Sequence, residues 1–238
     1  MENLSKIKIK LIRSLRSKKN RDAEQLFVVE GEKIIQEILT DHTNLVEFVC
    51  TSDAHFPFDR SFYTDERNMK EISSLKTPGN LLAVVRFPKF EFSENEIILA
   101  LDGIQDPGNL GTIIRTADWF GISKIVCSYD TVDCFNPKVV QATMGSLFRM
   151  SIEYVDLNKL LSQSTLPIYG ALLDGADMYS APMEKRCILV IGNEGKGISE
   201  EIKSLVTMPI FIPKFGSAES LNAAMASGII LAEYRRVN

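Results

Sequence analysis

The stretch "LDGIQDPGNLGTIIRTADWFG" occupies residues 101 to 121 and decides the fold class of the chain. It follows the apolar run "EIILAL" at 96 to 101, which has the composition of a buried strand. The segment Asp106-Pro107-Gly108-Asn109 is typical of a tight turn, and we expect Asn109 to cap the helix that follows, with Arg115 about two turns further on. A buried strand, a polar turn and a helix in direct succession form the repeating unit of a parallel sheet.

The same alternation continues to the C-terminus. The sequence predicts strands at 97–102, 124–128, 149–155, 167–173, 187–192 and 208–213. It predicts helices at 109–120, 136–147, 156–163, 199–204 and 219–235. This order indicates a mainly parallel sheet covered on both faces, in which ligands bind beyond the carboxyl ends of the strands.

A smaller α/β unit precedes this region. Its predicted elements are a strand at 26–29, an amphipathic helix with Ile34, Ile35, Ile38 and Leu39 inward, a strand at 45–51, a short helix at 69–75 and a strand at 81–87. The polar segment "PKFEFSENE" at 88–96 is typical of a linker. We therefore predict two domains, at 1–95 and 96–238.

Composition sets the broad class. The chain has 238 residues, of which 45% are hydrophobic and 24% charged, with a net charge of −4, as in ordinary soluble globular proteins. No apolar run has the length of a membrane span, and the N-terminus is too charged for a secretory signal, so we expect a cytoplasmic protein. Both histidines, His42 and His55, lie in the first domain, and no metal site is expected. The cysteines lack metal-ligand spacing and are interpreted as buried thiols: Cys50, Cys127, Cys134 and Cys187.

Positive charge is concentrated at the N-terminus. Residues 1–21 contain one acid, Glu2, and eight basic residues: Lys6, Lys8, Lys10, Arg13, Arg16, Lys18, Lys19 and Arg21. Apolar residues recur among them at helical spacing, so that one face can pack: Leu4, Ile7, Leu11, Ile12 and Leu15. The pattern fits a basic arm that binds nucleic acid, and equally a solvated surface helix.

Two further loops have unusual compositions. The segment "VIGNEGKGIS" at 190–199 is rich in glycine, which lets a backbone approach a ligand closely, and Glu194 within it could also be an acid that favours a helix N-terminus. In "IPKFGSAESLNAAMASGIILAEYRR" at 212–236, Ser220 and Asn222 are polar residues in a predicted helix whose other residues are mostly small or apolar. They could belong to a functional site or simply cap the start of that helix. For Arg115 the alternative is a surface salt bridge.

Together, "DPGNLGTIIRTADWFG", "VIGNEGKGIS" and the third segment resemble the three signature motifs of the SpoU/TrmH-type RNA 2′-O-ribose methyltransferases of the SPOUT superfamily. The resemblance covers roughly residues 96–238, including "NPKVVQATMGSLFRM" at 136–150. Residues 1–87 resemble the substrate-binding domain that often precedes that catalytic domain. The fold implied is a small L30e-like α/β domain followed by a parallel-sheet α/β-knot domain with a deep trefoil knot.

The resemblance also implies an activity and its residues. The activity is methyl transfer from S-adenosyl-L-methionine to a ribose 2′-hydroxyl of rRNA or tRNA by a homodimer without a metal. The catalytic residues implied are Arg115, Asn109, Glu194, Ser220 and Asn222. The cofactor is expected at Gly192, Ile212 and Leu221, with further contacts at Ala171 and Leu172. In the basic arm we expect RNA contacts from Lys18, Lys19 and Arg21.

Two other functions compete with this one. A catalytically silent RNA-binding protein of the same fold, acting in RNA assembly, would share most of these features. An enzyme that binds a nucleotide cofactor on an ordinary doubly wound sheet would require a G-x-G-x-x-G turn after the first strand, which the sequence lacks.

Overall fold

The computed structural model describes residues 1–90 and 97–238, so most of the predicted linker lies outside the described residues. Contacts divide the chain into two compact units. The first combines residues 1–89 with 135–148, and the second combines 90–134 with 149–238. This division differs from the predicted one in two places: residues 135–148 pack with the N-terminal unit, and the boundary lies after residue 89 instead of 95. The assignment of functions to the two domains stays a prediction.

The first unit contains a mixed five-stranded sheet. Its strands are β1 (Glu2–Asn3), β2 (Leu26–Glu30), β3 (Val46–Thr51), β4 (Ser61–Tyr63) and β5 (Leu81–Arg86), in the order β1-β4-β3-β5-β2. Strand β5 pairs antiparallel with β2 and β3, whereas β4 pairs parallel with β1 and β3. The predictions of β2, β3 and β5 are confirmed. The very short β1 and β4 were not predicted, because two or three residues carry no measurable periodicity.

Different helices cover the two faces of this sheet. Helices α1 (Lys6–Ser14) and α4 (Glu66–Ile72) pack with Leu26, Val28 and Phe48 in one apolar cluster. Because side chains alternate along a strand, Phe27 points to the opposite face, where its ring lies 4.8 Å from that of Phe135 and 5.9 Å from that of Phe148. Helix α3 (Glu32–Asp41) and helix α6 (Pro137–Thr143) also contact β2. A fragment beginning at residue 96 would therefore lack the packing partners of Phe135 and Phe148.

The N-terminal arm forms two helices, α1 and α2 (Lys18–Glu24), rather than one. The predicted packing face is confirmed for Leu4, Ile12 and Leu15, which are buried. It is wrong for Ile7, which is 82% exposed. The arm is therefore an integral part of the first unit.

The second unit contains a six-stranded sheet in which every pairing is parallel. Its strands are β6 (Ile98–Asp102), β7 (Lys124–Cys127), β8 (Ser151–Tyr154), β9 (Ile168–Asp177), β10 (Ile188–Gly192) and β11 (Met208–Phe211), in the order β11-β9-β10-β6-β7-β8. The predicted parallel sheet is confirmed. Since all strands run the same way, the loops after β6, β10 and β11 leave from one edge.

The helices of the second unit are α5 (Pro107–Trp119), α7 (Leu157–Ser162), α8 (Glu200–Lys203) and α9 (Ala223–Val237). Helix α9 packs against α5, and a Cβ placed on Gly228 would lie 3.7 Å from Cγ2 of Thr116, an ordinary contact distance. Gly228 therefore faces α5 within the chain. The trefoil knot implied by the resemblance stays a prediction.

Three boundaries in the second unit differ from the predicted ones in ways that affect the motif loops and the strand beside them. Helix α5 begins at Pro107 with Asp106 as its N-cap, so Asn109 lies inside the helix and does not cap it. Helix α9 begins at Ala223 instead of 219, so Ser220 precedes it and Asn222 is its N-cap. Strand β9 runs on to Asp177, and its pairing with β11 shifts register after Pro209.

All four cysteines are buried as thiols, as predicted. Burial raises the pKa of the Cys50 thiol to about 12, although the positive charge of Lys8 opposes the shift. Burial also raises the pKa of the Cys127 and Cys187 thiols, so these three thiols are protonated at neutral pH and are poor nucleophiles. Among the described residues, none of the helices combines the length and apolarity needed to cross a bilayer.

Candidate active site

The first motif loop joins β6 to α5. The side chain of Asp106 accepts a hydrogen bond from the backbone N–H of Asn109 at 2.8 Å, and Pro107 occupies the first turn, where its missing N–H costs nothing. This cap fixes the start of α5. The side chain of Asn109 is thereby left free to bond outside the helix.

A chain of hydrogen bonds joins the three motifs. The amide Nδ2 of Asn109 donates to Oε1 of Glu194 at 2.9 Å. The amide Nδ2 of Asn222 donates to Oδ1 of Asn109 at 2.8 Å. Three of the five predicted catalytic residues, one from each motif, are therefore in direct contact at the carboxyl edge of the sheet.

Glu194 lies in the loop after β10 and is half-buried. Besides Asn109, it accepts hydrogen bonds from the backbone N–H groups of Gln105 at 3.4 Å and Asp106 at 3.3 Å. Burial disfavours its charge, but these hydrogen bonds outweigh burial and lower the pKa of Glu194. Helix α8 begins six residues later, at Glu200, so the interpretation of Glu194 as its N-terminal acid is wrong.

This environment predicts a pH-dependent contribution to stability. The pKa of Glu194 is lowered below its ordinary 4.5 in the folded state, so its stabilisation is present above pH 4.5 and is lost as the pH falls through the folded value. We expect Glu194→Gln to reduce the free energy of unfolding at pH 7 by up to about 1 kcal/mol. In urea denaturation, the difference from wild type should shrink as the pH falls below 4.5. Glu219→Gln, at an exposed carboxylate of the same unit, is the control. A difference that does not change with pH would contradict this account of Glu194.

The second motif loop folds back on the end of β10. Asn193 and Gly197 form two backbone hydrogen bonds of 2.9 and 3.0 Å, and a Cβ on Gly192 would lie 2.2 Å from the carbonyl carbon of Gly197. No side chain fits at Gly192. The side chain of Asn193 donates to the carbonyl of Gly103 at 2.6 Å and so ties this loop to the first. Asn193 was not among the predicted site residues, although it stands within the motif at 190–199.

The third motif loop follows β11. Asn222 caps α9, its Oδ1 accepting from the N–H groups of Ala224 at 2.9 Å and Met225 at 3.3 Å. The capping role is therefore confirmed for Asn222, in addition to its bond with Asn109. Ser220 is exposed, and its side chain forms no hydrogen bond with any residue in 1–90 or 97–238. The structure does not bring Ser220 into the cluster.

Arg115 lies on the exposed face of α5. Its side chain makes neither an ion pair nor a hydrogen bond within the described part of the chain. The salt-bridge interpretation of Arg115 therefore has no support. At about 100° per residue, Arg115 is turned about 120° around the helix from Asn109 and is not connected to the hydrogen-bonded cluster.

The predicted cofactor residues lie on neighbouring segments of the second unit. Gly192 ends β10, Ile212 follows β11, and Ala171 and Leu172 are half-buried residues of β9. Residues 214–221 are exposed and, among the described residues, form no backbone hydrogen bond, while Leu221 is 48% exposed. Free backbone groups beside an exposed apolar side chain fit a cofactor that is held mainly by main-chain contacts.

The predicted RNA contacts in the first unit need one correction. Arg21 is only 3% exposed, and its Nη1 donates to the carbonyls of Leu15 at 2.8 Å and Arg16 at 2.9 Å, so it links α1 to α2 and is not available to RNA. Lys18 is exposed and pairs with Asp22 at 2.9 Å, and Lys19 is exposed. Within residues 1–90 and 97–238, no cluster of three or more His, Cys, Asp or Glu side chains is arranged to hold a metal.

Comparison with known proteins identifies the family. The profile of the SpoU rRNA Methylase family matches residues 96–232, and that of the MRM3-like substrate binding domain matches residues 6–83. The chain belongs to the SpoU rRNA methylase family. A Bacillus subtilis relative, the 23S rRNA (guanosine(2553)-2′-O)-methyltransferase RlmP, is 30% identical over 99% of this chain and 98% of its own length.

Solved structures agree with this SpoU assignment. A TrmH-family protein of Porphyromonas gingivalis has a TM-score of 0.88 and 40% identity, covering 99% of each chain. The AdoMet-bound rRNA methyltransferase of Sinorhizobium meliloti has a TM-score of 0.85 and 30% identity over 99% of this chain and 97% of that one. The prediction of an RNA 2′-O-methyltransferase that uses S-adenosylmethionine is confirmed at the level of this family.

Proposed function

We propose that this protein methylates a ribose 2′-hydroxyl of large-subunit ribosomal RNA and that the cluster of Asn109, Glu194 and Asn222 assembles its active site. The hydrogen bonds among these three side chains carry the proposal. The choice of large-subunit rRNA rests on the relative matched over its whole length, which is named for 23S rRNA. We also propose that the protein is located in the cytoplasm, because that is where ribosomal RNA is found in bacteria.

The chemistry requires positioning and charge stabilisation. S-adenosylmethionine supplies an electrophilic methyl group when it is bound. Negative charge develops on the ribose oxygen as it loses its proton to water, and the incoming methyl group then neutralises this charge. A guanidinium is a poor proton acceptor but a good donor to an oxyanion or a phosphate, so the proposed role of the exposed Arg115 is to stabilise that charge.

The cluster holds the loops around this reaction. Asn109 links the ionised Glu194 to Asn222 and thereby connects the start of α5 to the start of α9. Ser220 adds an exposed hydroxyl close to the cap of α9. The backbones of Gly192, Ile212 and Leu221, together with Ala171 and Leu172, are the proposed contacts of the cofactor.

Methylation of defined RNAs tests the proposal. The purified protein would be incubated with methyl-labelled S-adenosylmethionine and unmodified transcripts of 23S rRNA, with 16S rRNA and tRNA transcripts as controls. We expect label in 23S rRNA alone, at a nucleotide found by mapping 2′-O-methyl groups. Label in tRNA alone would overturn the choice of substrate. RNA binding without any transfer would favour the silent assembly protein.

We further propose that the protein is a homodimer, as the resemblance implies. Trp119 on α5 is 85% exposed and Met225 on α9 is 61% exposed, although these two helices pack together. Tryptophan and methionine are both enriched at protein–protein interfaces. An interface of this kind buries more than about 1,000 Å².

If the protein is a homodimer, sedimentation at micromolar concentration should give a mass of twice 26.7 kDa. We expect Trp119→Glu to weaken association at least tenfold, because it places a charge in a desolvated contact. Ile7→Glu, at an apolar residue of the first unit that is 82% exposed, should leave the mass unchanged. A monomeric wild type would contradict the prediction.

A further inference from the structure

The basic residues of the N-terminal arm are not equivalent in the folded protein. Three of them make their contacts elsewhere in the first unit. The ammonium group of Lys8 lies 4.7 Å and 4.5 Å from the ring centres of Phe48 and Phe62, Arg21 is buried, and Lys18 pairs with Asp22. The charge of the arm is therefore available to a partner at only some of its positions.

Four of the remaining cations line one groove between α1 and α4. The groove has a volume of about 730 Å³, and its lining includes Lys6, Lys10, Arg13, Arg16, Asn68 and Glu71. Four basic groups face a single carboxylate there. The net charge of −4 for the whole chain conceals this local excess of positive charge.

Internal contacts hold the two arginines along the groove. Nη1 of Arg13 donates to the carboxylate of Glu71 at 2.7 Å. Nη2 of Arg16 donates to the carbonyls of Glu71 at 2.9 Å and Ser73 at 2.8 Å. A guanidinium carries five N–H donors, so each keeps unused donors for a further acceptor. Preorganised arginines of this kind suit phosphate oxygens.

Lys6 and Lys10 are exposed, and within the described residues their side chains form no ion pair or hydrogen bond. They are one helical turn apart on α1, on the same side as Arg13. These three residues span about 10 Å at about 1.5 Å per residue. A strand of double-stranded DNA carries one phosphate per about 3.4 Å of its axis, and on that scale this length corresponds to about three phosphates.

From this arrangement, we infer that the groove between α1 and α4 binds the phosphate backbone of the RNA substrate, with Lys6 and Lys10 as its principal contacts. The inference rests on the proposed function, since it requires an RNA substrate. It moves the predicted RNA contact from Lys18, Lys19 and Arg21 to the other end of the same arm. Phosphate contacts position an RNA without reading its bases, so the groove supplies affinity and leaves selection of the nucleotide to other residues.

The salt dependence of RNA binding tests the groove. The probe is an unmodified 23S rRNA transcript, and its affinity is measured by filter binding from low to physiological salt with the full-length protein. Each lost phosphate contact should reduce the slope of log affinity against log salt by about one, so we expect a decrease of about one for Lys10→Ala and about two for Lys6→Ala/Lys10→Ala. Lys33→Ala is the matched control, because Lys33 is an exposed lysine at the start of α3, a helix on the opposite face of the sheet.

Measurements of methyl transfer distinguish a failure of this inference from a failure of the proposed function. For the double variant, KM for the RNA should rise at least tenfold, while kcat at saturating RNA and the thermal midpoint stay at wild-type values. If wild type methylates the transcript and the double variant has the same salt slope and KM, the groove is not the phosphate site. If wild type binds RNA and the double variant loses about two in salt slope, but wild type transfers no methyl group, the proposed function fails and the groove stands. Equal losses in Lys33→Ala and Lys10→Ala would also overturn the groove, because they would indicate a general effect of charge.

Discussion

Arg115→Ala is expected to lower the rate of methyl transfer by about 10²- to 10³-fold, the usual effect of removing one donor that stabilises charge in a transition state. The fold should persist, because the side chain is exposed and contributes no ion pair or hydrogen bond within the described part of the chain. Cofactor affinity should also persist, because the proposed cofactor contacts lie in other loops. Single-turnover methylation of the mapped RNA, with cofactor binding measured by calorimetry in parallel, gives both quantities.

A matched control separates this role from a loss of surface charge. Lys159→Ala removes an exposed cation from α7 in the same unit and should leave turnover unchanged. Arg115→Lys retains the charge but not the planar fork of donors, so an intermediate rate would indicate that donor geometry matters. Wild-type rates in Arg115→Ala would refute the proposed role.

The second large effect is expected at Gly192. A Cβ at this position would lie 2.2 Å from the carbonyl carbon of Gly197 and equally close to the amide nitrogen of Ile198. Both are backbone atoms, so the loop at 193–198 would have to move as a whole. Forcing an extra carbon into a packed site costs about 1–3 kcal/mol. Because the displaced loop carries Glu194, we expect Gly192→Ala to weaken cofactor binding at least tenfold and to reduce turnover further.

Gly195→Ala provides the comparison within the same loop. Its Cβ would lie 3.7 Å from Oδ1 of Asn193, an ordinary contact distance, so cofactor binding and stability should stay close to wild type. Calorimetry with S-adenosylmethionine and thermal unfolding of both variants measure the contrast. Similar affinities for the two variants would show that the tight fold of this loop is not what the cofactor requires.

These two predictions assign different roles to two sets of residues at the carboxyl edge of the sheet. Gly192 and the cluster around Asn109 make the contacts between the loops, whereas Arg115 forms no ion pair or hydrogen bond within residues 1–90 and 97–238. A side chain that acts on the substrate must keep donors available, and one that holds the loops must use them internally. The structure separates the predicted catalytic residues in this way, a distinction that the motifs alone do not contain.

Sequence alone predicted the architecture that determines where the site lies. Apolar runs followed by turn residues and helical patterns indicated strands β6 to β11 and the parallel sheet they form. The three unusual loops were assigned correctly to the carboxyl ends of β6, β10 and β11. This succeeded because strand and helix periodicity and turn chemistry are local properties, carried by residues that are neighbours in the chain.

Only the tertiary structure decided which residues meet. Asn109 forms hydrogen bonds with Glu194, which is 85 positions away in the chain, and with Asn222, which is 113 positions away. The first bond depends on the pairing of β10 with β6, and the second on the packing of α9 against α5. Arg21 resembled its basic neighbours in sequence, yet it is buried between α1 and α2. Residues 135–148 were predicted to belong to the second domain, but they pack with the first unit through Phe135 and Phe148. Local patterns indicate that a residue is basic or apolar, but its partner depends on long-range packing that brings distant segments together, and no short stretch of sequence encodes that packing.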